Sequence, residues 1–315
     1  MSLRRPTFCI VTPSFNQAAF LEQTIQSVLN QDGLGSEFEL QYAIADGGST
    51  DGSVEIIRRY EDKLAFWCSE PDRGQSHAIN KGFAHLRGDV YAYLNSDDYY
   101  LPGAFRNIAR SVALNPQADL HHGVCQRVGV RGEVIGLQQS DITSYAEILD
   151  LWNHWLRPRP NRNFIQPEVF WTRKWADQIG RFNERLFYTM DYEYWLRGLQ
   201  AGLEVAAIDN PLASFRLHDA QKTTAKNASI LELVGHVERH LDFDDPRISQ
   251  SQRRRMRRHL ELTRRTIETS DQRPEQRVVS LLSLAKDEPA LLASRHYWKT
   301  LRRSGKRVFW KRSAA

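Results

Sequence analysis

Cysteine is scarce in this 315-residue chain: Cys9, Cys68 and Cys125 are three in all and lie far apart. An odd, widely spaced set argues against a disulfide framework and for reduced thiols. Two of them fall inside apolar strand-like runs, where a thiol behaves as a small hydrophobe. No stretch approaches the about 18 consecutive apolar residues of a membrane-spanning helix, so none is expected. The amino terminus, Met1-Ser-Leu-Arg-Arg-Pro6, enters a strand pattern directly, without the apolar core and small-residue cleavage site of a secretion signal. A cytoplasmic chain is therefore expected. Gly-x-Gly-x-x-Gly and Walker loops are absent too, which excludes phosphate cradles of those two kinds, and there is no internal repeat or low-complexity segment.

What remains is an ordinary globular composition, with 41% hydrophobic and 26% charged residues, enough to bury a sizeable core. The charge is unevenly spread. Residues 225–315 hold 21 Lys and Arg against 11 Asp and Glu, whereas the first 224 residues hold 22 against 27, so the net charge of +5 comes from the carboxyl-terminal segment. One large domain with a basic appendage is expected at this length.

Thr7-Phe-Cys-Ile-Val-Thr-Pro13 is a β-rich run, and Ala18–Leu29 carries apolar residues at helical spacing. The alternation continues with strand Leu40–Ala45, helix Ser53–Tyr60, strand Leu64–Cys68, helix Gln75–Leu86, strand Val90–Leu94 and helix Pro102–Leu114. Pro102 suits a first turn. This pattern predicts an α/β fold with a mostly parallel sheet flanked by helices, and loops after strands one, two and four gathered on one edge. From Asp119 to Gln139 four glycines punctuate short β-like runs that read as hairpins or sheet extensions. A helix over Ser144–Trp152, an irregular loop over 152–163, a strand over Glu168–Trp171 and a helix over Asp191–Gly202 follow. Beyond Thr224 the pattern is helical and charged.

Three acidic clusters stand out: Asp46-Gly-Gly-Ser-Thr-Asp51, Asn95-Ser-Asp97-Asp98 and Asp191-Tyr-Glu193. Carboxylates at the carboxyl ends of parallel strands occupy the place where open α/β sheets bind ligands, and several together hold a hard cation against a polyphosphate. Each cluster also has a plain structural reading. The glycines after Asp46 suit a turn and Asp51 a helix cap; Asp97 and Asp98 can open the helix near Pro102; Asp191 can cap its own helix. Asp46 is the hardest to reduce to a turn, because an acid ending a buried strand needs a partner that a nucleobase or ribose would supply. Adjacent Asp97 and Asp98 repel one another and sit more comfortably beside a divalent ion. Asp191 lies among aromatic residues that limit solvent, a setting suited to a general base. Asp191 and Glu193 project differently from a helix, so only one of them is expected to face the site.

Taken in order, Ile10-Val-Thr-Pro-Ser-Phe-Asn16, Asp46-Gly-Gly-Ser-Thr-Asp51-Gly-Ser, Glu70-Pro-Asp-Arg-Gly-Gln-Ser-His-Ala-Ile-Asn-Lys-Gly-Phe83, Leu94-Asn-Ser-Asp-Asp98 and Met190-Asp-Tyr-Glu-Tyr-Trp195 resemble family 2 glycosyltransferases of the A-type (GT-A) fold over about residues 7–220. The resemblance implies a nucleotide-diphospho-sugar donor, UDP-sugar favoured, a divalent metal (Mn2+ or Mg2+), inversion at the anomeric carbon, and a role in polysaccharide or cell-surface glycan biosynthesis. It implies a catalytic domain over 1–224, with a donor half of about 1–115 and an acceptor half of about 116–224, followed by a basic helical extension over 225–315. Position by position, Asp46 resembles the acid that reads the nucleobase, with Thr12, Pro13 and Phe15 lining the pocket. Asp72, Asn80 and Lys81 fall in the donor-side segment. Asp97 corresponds to the metal-binding acid of an Asp-x-Asp motif, with Asp98 its neighbour on the donor side. Asp191 matches the catalytic base. In Ser214-Phe-Arg-Leu-His218-Asp-Ala-Gln-Lys222, His218 is a candidate for the metal shell and Arg216 and Lys222 for the diphosphate. Trp152 and Trp155 form a candidate acceptor lip, aromatic faces being suited to sugar rings, with Gln166 and Glu193 on the same side. Two departures stand out: Asn95 replaces the first acid of Asp-x-Asp, removing one charge, and Met190 replaces the more frequent acid before the base.

Rival readings are a nucleotidyltransferase and a nucleotide-sugar binding module without turnover. The first would carry a Gly-rich loop with Lys or Arg after its first strand, where this chain has Thr12-Pro-Ser-Phe-Asn16. His236-Val-Glu-Arg-His240 places Glu238 wrongly for a His-Glu-x-x-His zinc site and reads as a solvated face. The basic runs Arg253–Arg258 and Arg302–Arg312 read as solvated helix faces, or as peripheral attraction to the inner face of a membrane carrying a saccharide or lipid-linked saccharide acceptor. No stacking platform or reading motif accompanies them, so no nucleic-acid partner is expected.

Overall fold

The computed structural model describes residues 5–156, 162–219, 221, 226–270, 272–287, 289–293, 297–302 and 304. It divides into two compact units, Met1–Ile148 with Asn153–Thr224, and Leu149–Trp152 with Ala225–Ala315.

The first unit is built on one curled sheet. Strands β1 (Thr7–Ser14), β2 (Glu39–Asp46), β3 (Phe66–Ser69) and β4 (Val90–Tyr93) alternate with helices α1 (Ala18–Leu29), α2 (Ser53–Arg58) and α3 (Gln75–Ala84). Next come β5 (Tyr99–Tyr100), α4 (Ala104–Leu114), β6 (Ala118–Val128), β7 (Val134–Gln139), α5 (Tyr145–Leu149), β8 (Val169–Thr172), α6 (Arg173–Ile179), α7 (Met190–Gln200) and β9 (Glu204–Arg216). The strand order is β3-β2-β1-β4-β8-β6-β9-β5, with β7 on β6. β1 runs parallel to β2 and β4, β2 to β3, and β6 to β9, while β8 lies antiparallel between β4 and β6. The chain reaches Ser14, Asp46 and Ser69 side by side, so the loops after β1, β2 and β3 leave together. Tyr93 pairs with Val11 and brings the loop after β4 to the same edge.

Helix α1 matches its apolar spacing: Leu21, Thr24, Ile25 and Val28 form its buried stripe. Beneath the sheet Phe8 stacks on Phe105 at 4.8 Å, and Phe38 and Phe170 meet the pair edge-on. Each such ring, fully buried, contributes about 1.5–3 kcal/mol of hydrophobic stabilisation. Helices α6 and α7 touch where only glycine fits, since a Cβ on Gly198 would lie 2.0 Å from the Trp175 ring. That contact fixes α7, which carries Asp191 near its start.

Several local expectations shift. Helix α4 begins at Ala104, after Gly103 in a left-handed conformation (φ 76°), so Pro102 precedes the helix instead of opening it. The helix expected over Ser144–Trp152 is α5 alone, followed by a wide helical turn at Trp152–Leu156 where a loop was expected. The 13-residue β9 and helix α6 arise where no element was read.

The second unit is helical, with α8 (Lys226–Leu241), α9 (Gln250–Glu268) and α10 (Pro274–Asp287). Ser249 and Gln252 form a reciprocal capping box at the start of α9. Leu262, Leu281, Leu284, Ala285, Leu291 and Tyr297 make the unit's own core.

Candidate active site

The loop after β2 is organised by its own acid. Asp46 is 1% exposed and accepts hydrogen bonds from the Gly48 and Ser49 amides, at 3.0 and 2.8 Å, and from the Ser49 and Ser69 hydroxyls, at 2.5 and 2.8 Å. The partner expected from a nucleobase is thus already supplied within the protein. Asn16, held at φ 51°, ties the β1 loop to this turn: its amide donates to Ser49 Oγ and its Oδ1 accepts from Thr50 N. Asp51 caps two helices at once, accepting from Ala18 N and Ser53 N. Gly47 lies against Asp72 and Phe15, since a Cβ there would meet Asp72 Oδ2 at 2.9 Å and the Phe15 ring at 3.2 Å. Phe15 is 60% exposed, which leaves an aromatic face open above the turn. Thr12 and Pro13 are buried, with Thr12 Oγ1 hydrogen-bonded to the Tyr42 hydroxyl.

The loop after β4 behaves differently. Asp97 Oδ2 and His218 Nε2 lie 2.9 Å apart although 121 residues separate them. Two donors at about 2.1 Å and a right angle around an octahedral ion are roughly 3 Å apart, so this spacing suits a shared divalent ion. Among the described residues no third His, Cys, Asp or Glu joins them. Water and ligand oxygens would have to complete such a shell.

Neighbouring Asp98 turns inward instead. It is 1% exposed, its Oδ1 accepts from the Arg216 amide at 2.9 Å, and burial together with the Asp97 charge holds its carboxyl well above the usual range. Its expected place on the donor does not fit that orientation. Arg216 is likewise spent inside: 3% exposed, it donates to the Asp97 and Val130 carbonyls and to Gln23 Oε1, and its guanidinium lies over the Phe20 and Tyr99 rings. A guanidinium so engaged fixes the corner that carries Asp97 and His218 and has little left for a diphosphate. Lys222 lies outside the described residues.

Asp191 occupies the first turn of α7, its Oδ1 accepting from the Tyr192 amide at 2.7 Å. Met190 anchors this end of the helix, with its sulfur accepting from Ser76 Oγ at the start of α3. Burial, then the nearby Asp191 and Asp98 carboxylates, hold the Tyr93 hydroxyl well above its usual range, so both acids flank the end of β4. Gln166 is buried beneath, its Nε2 donating to the Tyr93 carbonyl and its Oε1 without a protein partner. Glu193 points elsewhere: it pairs with Arg197 at 2.8 Å, and Arg197 in turn holds the Ile179 and Arg181 carbonyls. The pair braces α6 against α7 and leaves Glu193 Oε2 buried without a hydrogen-bond partner.

The other predicted residues divide in the same manner. All the polar atoms of Asn80 serve the protein, bonding Phe182 and Glu184. Lys81 pairs with Glu70 at 2.7 Å. Trp155 meets Tyr192 edge-on at 5.0 Å, and Trp152, which belongs to the second unit, faces His259 at 5.5 Å. Two apolar features are exposed in a way the sequence pattern does not mark. Phe187, 56% exposed, stands four residues before Asp191. The β6–β7 hairpin carries Val130, Val134, Ile135 and Leu137, each more than half exposed, and is fastened to the corner that carries Asp97 and His218 by Arg216. Apolar residues on both faces of a short strand give no alternation to mark an outward tip.

A mostly parallel sheet flanked by helices, with acids gathered at its carboxyl edge, is the architecture of the A-type glycosyltransferases. Staphylococcus aureus TarS, solved as residues 1–349 with UDP-GlcNAc, superposes with a TM-score of 0.62 at 13% identity, over 89% of this chain and 81% of that one. The mannosyltransferase PcManGT of Pyrobaculum calidifontis, solved with GDP-Man and Mn2+, gives 0.61 at 16% identity, over 96% and 85%. The family profile "Glycosyl transferase family 2" matches residues 9–168, and the chain belongs to that family. An uncharacterized glycosyltransferase of Mycobacterium tuberculosis is 38% identical over 95 residues, 30% of this chain and 35% of its own. The putative teichuronic acid biosynthesis glycosyltransferase TuaG of Bacillus subtilis is 33% identical over 97 residues, 30% and 37%. These alignments span about a third of the length of either relative.

Proposed function

We propose that this chain is an inverting glycosyltransferase that moves a sugar from a nucleotide-diphosphate donor to an acceptor hydroxyl. The observation that carries the reading is the meeting of Asp97 with His218 on the sheet edge that also holds the Phe15–Gly47–Asp72 turn. Phe15 stacks on the nucleobase and Asp72 faces the base and ribose, while Asp46 keeps the turn in shape for them. Asp191 takes the proton from the acceptor hydroxyl as it attacks the anomeric carbon from the face opposite the nucleotide, so a single displacement inverts that centre. When bound at Asp97 and His218, a divalent ion supplies positive charge to the departing diphosphate. An imidazole in the donor set favours manganese over magnesium, which prefers oxygen ligands. The nucleotide sugars and Mn2+ bound by the two structural relatives support donor and metal class alike.

TuaG supports polysaccharide or cell-surface glycan biosynthesis as the setting, and a UDP-sugar is the preferred donor. The acceptor is a saccharide or lipid-linked saccharide, approaching past Trp155, Phe187 and the β6–β7 hairpin. Residues to about 115 serve the donor, and those from about 116 to 224 the acceptor. The three cysteines are free thiols, which suits a cytoplasmic location. Among the described residues no helix is long and apolar enough to cross a membrane.

The test uses nucleotide sugars with Mn2+ and follows release of nucleoside diphosphate. Asp191→Asn is expected to lower kcat by about 10²–10⁴ while the donor still raises the melting temperature as in wild type. Transfer at the wild-type rate by this variant would remove Asp191 as the base.

A further inference from the structure

We propose that the carboxyl-terminal unit docks on an anionic lipid bilayer through an exposed face made of Val279 and Leu282 on α10 and of Leu292 and Trp298 beyond it, flanked by Lys286, Lys299 and Arg302.

The core of the unit is complete without these four apolar side chains. On α10, Leu281, Leu284 and Ala285 turn inward with Leu262, Leu291 and Tyr297. Val279 and Leu282, one turn apart on the opposite side, are 65% and 50% exposed, and Lys286 continues their stripe. Leu292 and Trp298 are 48% and 51% exposed and are tied together, the indole Nε1 donating to the Leu292 carbonyl at 2.7 Å. The Tyr297 hydroxyl donates to the Leu281 carbonyl and so joins that segment to α10. Exposed large apolar residues grouped this way mark an interaction surface.

Charge selects the occupant. The basic run on α9 is largely spent inside the unit: Arg253 holds the Leu241 and Phe243 carbonyls, Arg255 pairs with Asp150, and Arg257 with Asp242. Lys286, Lys299 and Arg302 are exposed and have no ion pair among the described residues, and they lie within four residues of Leu282 or Trp298 along the chain. A second copy of the chain would bring together two segments that each carry a surplus of ten positive charges, 21 Lys and Arg against 11 Asp and Glu. An anionic bilayer matches both features, since tryptophan and aliphatic side chains enter the headgroup boundary while lysine and arginine meet lipid phosphates. The sequence continues as Lys306-Arg-Val-Phe-Trp-Lys-Arg312, of the same chemical type. The inference is independent of the transfer reaction, because it concerns where the chain resides and not what it catalyses.

The full chain is sedimented with vesicles of phosphatidylcholine alone and of phosphatidylcholine mixed with phosphatidylglycerol. Wild type is expected to partition at least about tenfold more strongly onto the anionic vesicles, and to leave them as salt is raised. Val279→Ser with Leu282→Ser, and separately Lys299→Glu with Arg302→Glu, are each expected to weaken that partition about tenfold with an unchanged melting temperature. The second pair keeps the test decisive if the first fails to fold. Wild type remaining in the supernatant with both vesicles, or folded variants binding as wild type does, overturns the proposal. So does a two-chain species in analytical ultracentrifugation that the serine variant reduces to one chain, which would assign the face to a second copy.

Discussion

The loops after β2 and β4 leave the same edge of the sheet, and each begins with an acidic motif, yet their carboxylates are used in opposite ways. Asp46 takes four hydrogen bonds, three of them from the two residues that follow its own glycine. Asp97 finds its partner, His218, across 121 residues. A carboxylate satisfied by its own turn shapes that turn, and removing it costs structure. One paired only through a distant imidazole can change partners when a cation arrives, at little cost to the fold. The same motif class thus yields a scaffold in one loop and a candidate ligand in the other.

Exchanging each acid for its amide tests this contrast and has the largest expected effect. Asp97→Asn is expected to lower metal-supported transfer by about 10²–10³ with a melting temperature close to wild type, because the amide keeps a hydrogen-bonding group beside the largely buried His218 imidazole. Asp46→Asn is expected to do the reverse in kind, with about 1–3 kcal/mol of stability lost in urea unfolding, since an amide NH2 would face groups that donate to the present carboxylate. If Asp97→Asn unfolds the chain, or Asp46→Asn leaves its unfolding midpoint in place, the distinction between the loops fails.

Arg216 sharpens the contrast, because it holds the β4 loop from behind. Its side chain bonds the Asp97 carbonyl and Gln23, and its own amide bonds Asp98. Arg216→Met would leave the Asp97 and Val130 carbonyls and Gln23 Oε1 without their buried donor and is expected to cost about 1–3 kcal/mol, read as a lower urea midpoint with or without nucleotide sugar. A variant that keeps full stability but loses donor affinity would return Arg216 to the diphosphate.

Which of these features could be read from sequence follows from where their partners lie. Helix α1 spans the same residues, Ala18–Leu29, that its apolar spacing marks, because one period and one buried face settle it. The first four strands and the turn after Asp46 are equally local. Strand β9 escaped because Asp209-Asn-Pro211 interrupts a run that only β6 on one side and β5 on the other make extended. The inward turn of Asp98, the burial of Arg216 and the pairing of Glu193 with Arg197 could not be seen, since adjacent or near-adjacent acids look alike until the surrounding elements close over one of them. His218 came only through resemblance, as a histidine near the end of a strand has no local pattern that names Asp97 as its partner.

The smallest expected effect concerns the fold and is read by pH. His121 is buried on β6 with both ring nitrogens engaged as a neutral imidazole, by Ser111 Oγ and the Ala118 carbonyl, and burial pushes its pKa down to about 4; burial does the same to His122. In the unfolded chain each histidine takes up a proton near its ordinary value of about 6.5. Stability contributed by the neutral rings is therefore full above that value and is lost as pH falls from about 6.5 toward 4. Between pH 7 and pH 6 the loss is on the order of 0.5–1 kcal/mol for each ring, read as a falling urea midpoint. His122→Phe is expected to flatten this slope, its urea midpoint falling less between pH 7 and pH 6 than that of wild type. A His122→Phe slope as steep as that of wild type would overturn the part given to this ring in the acid sensitivity of the fold.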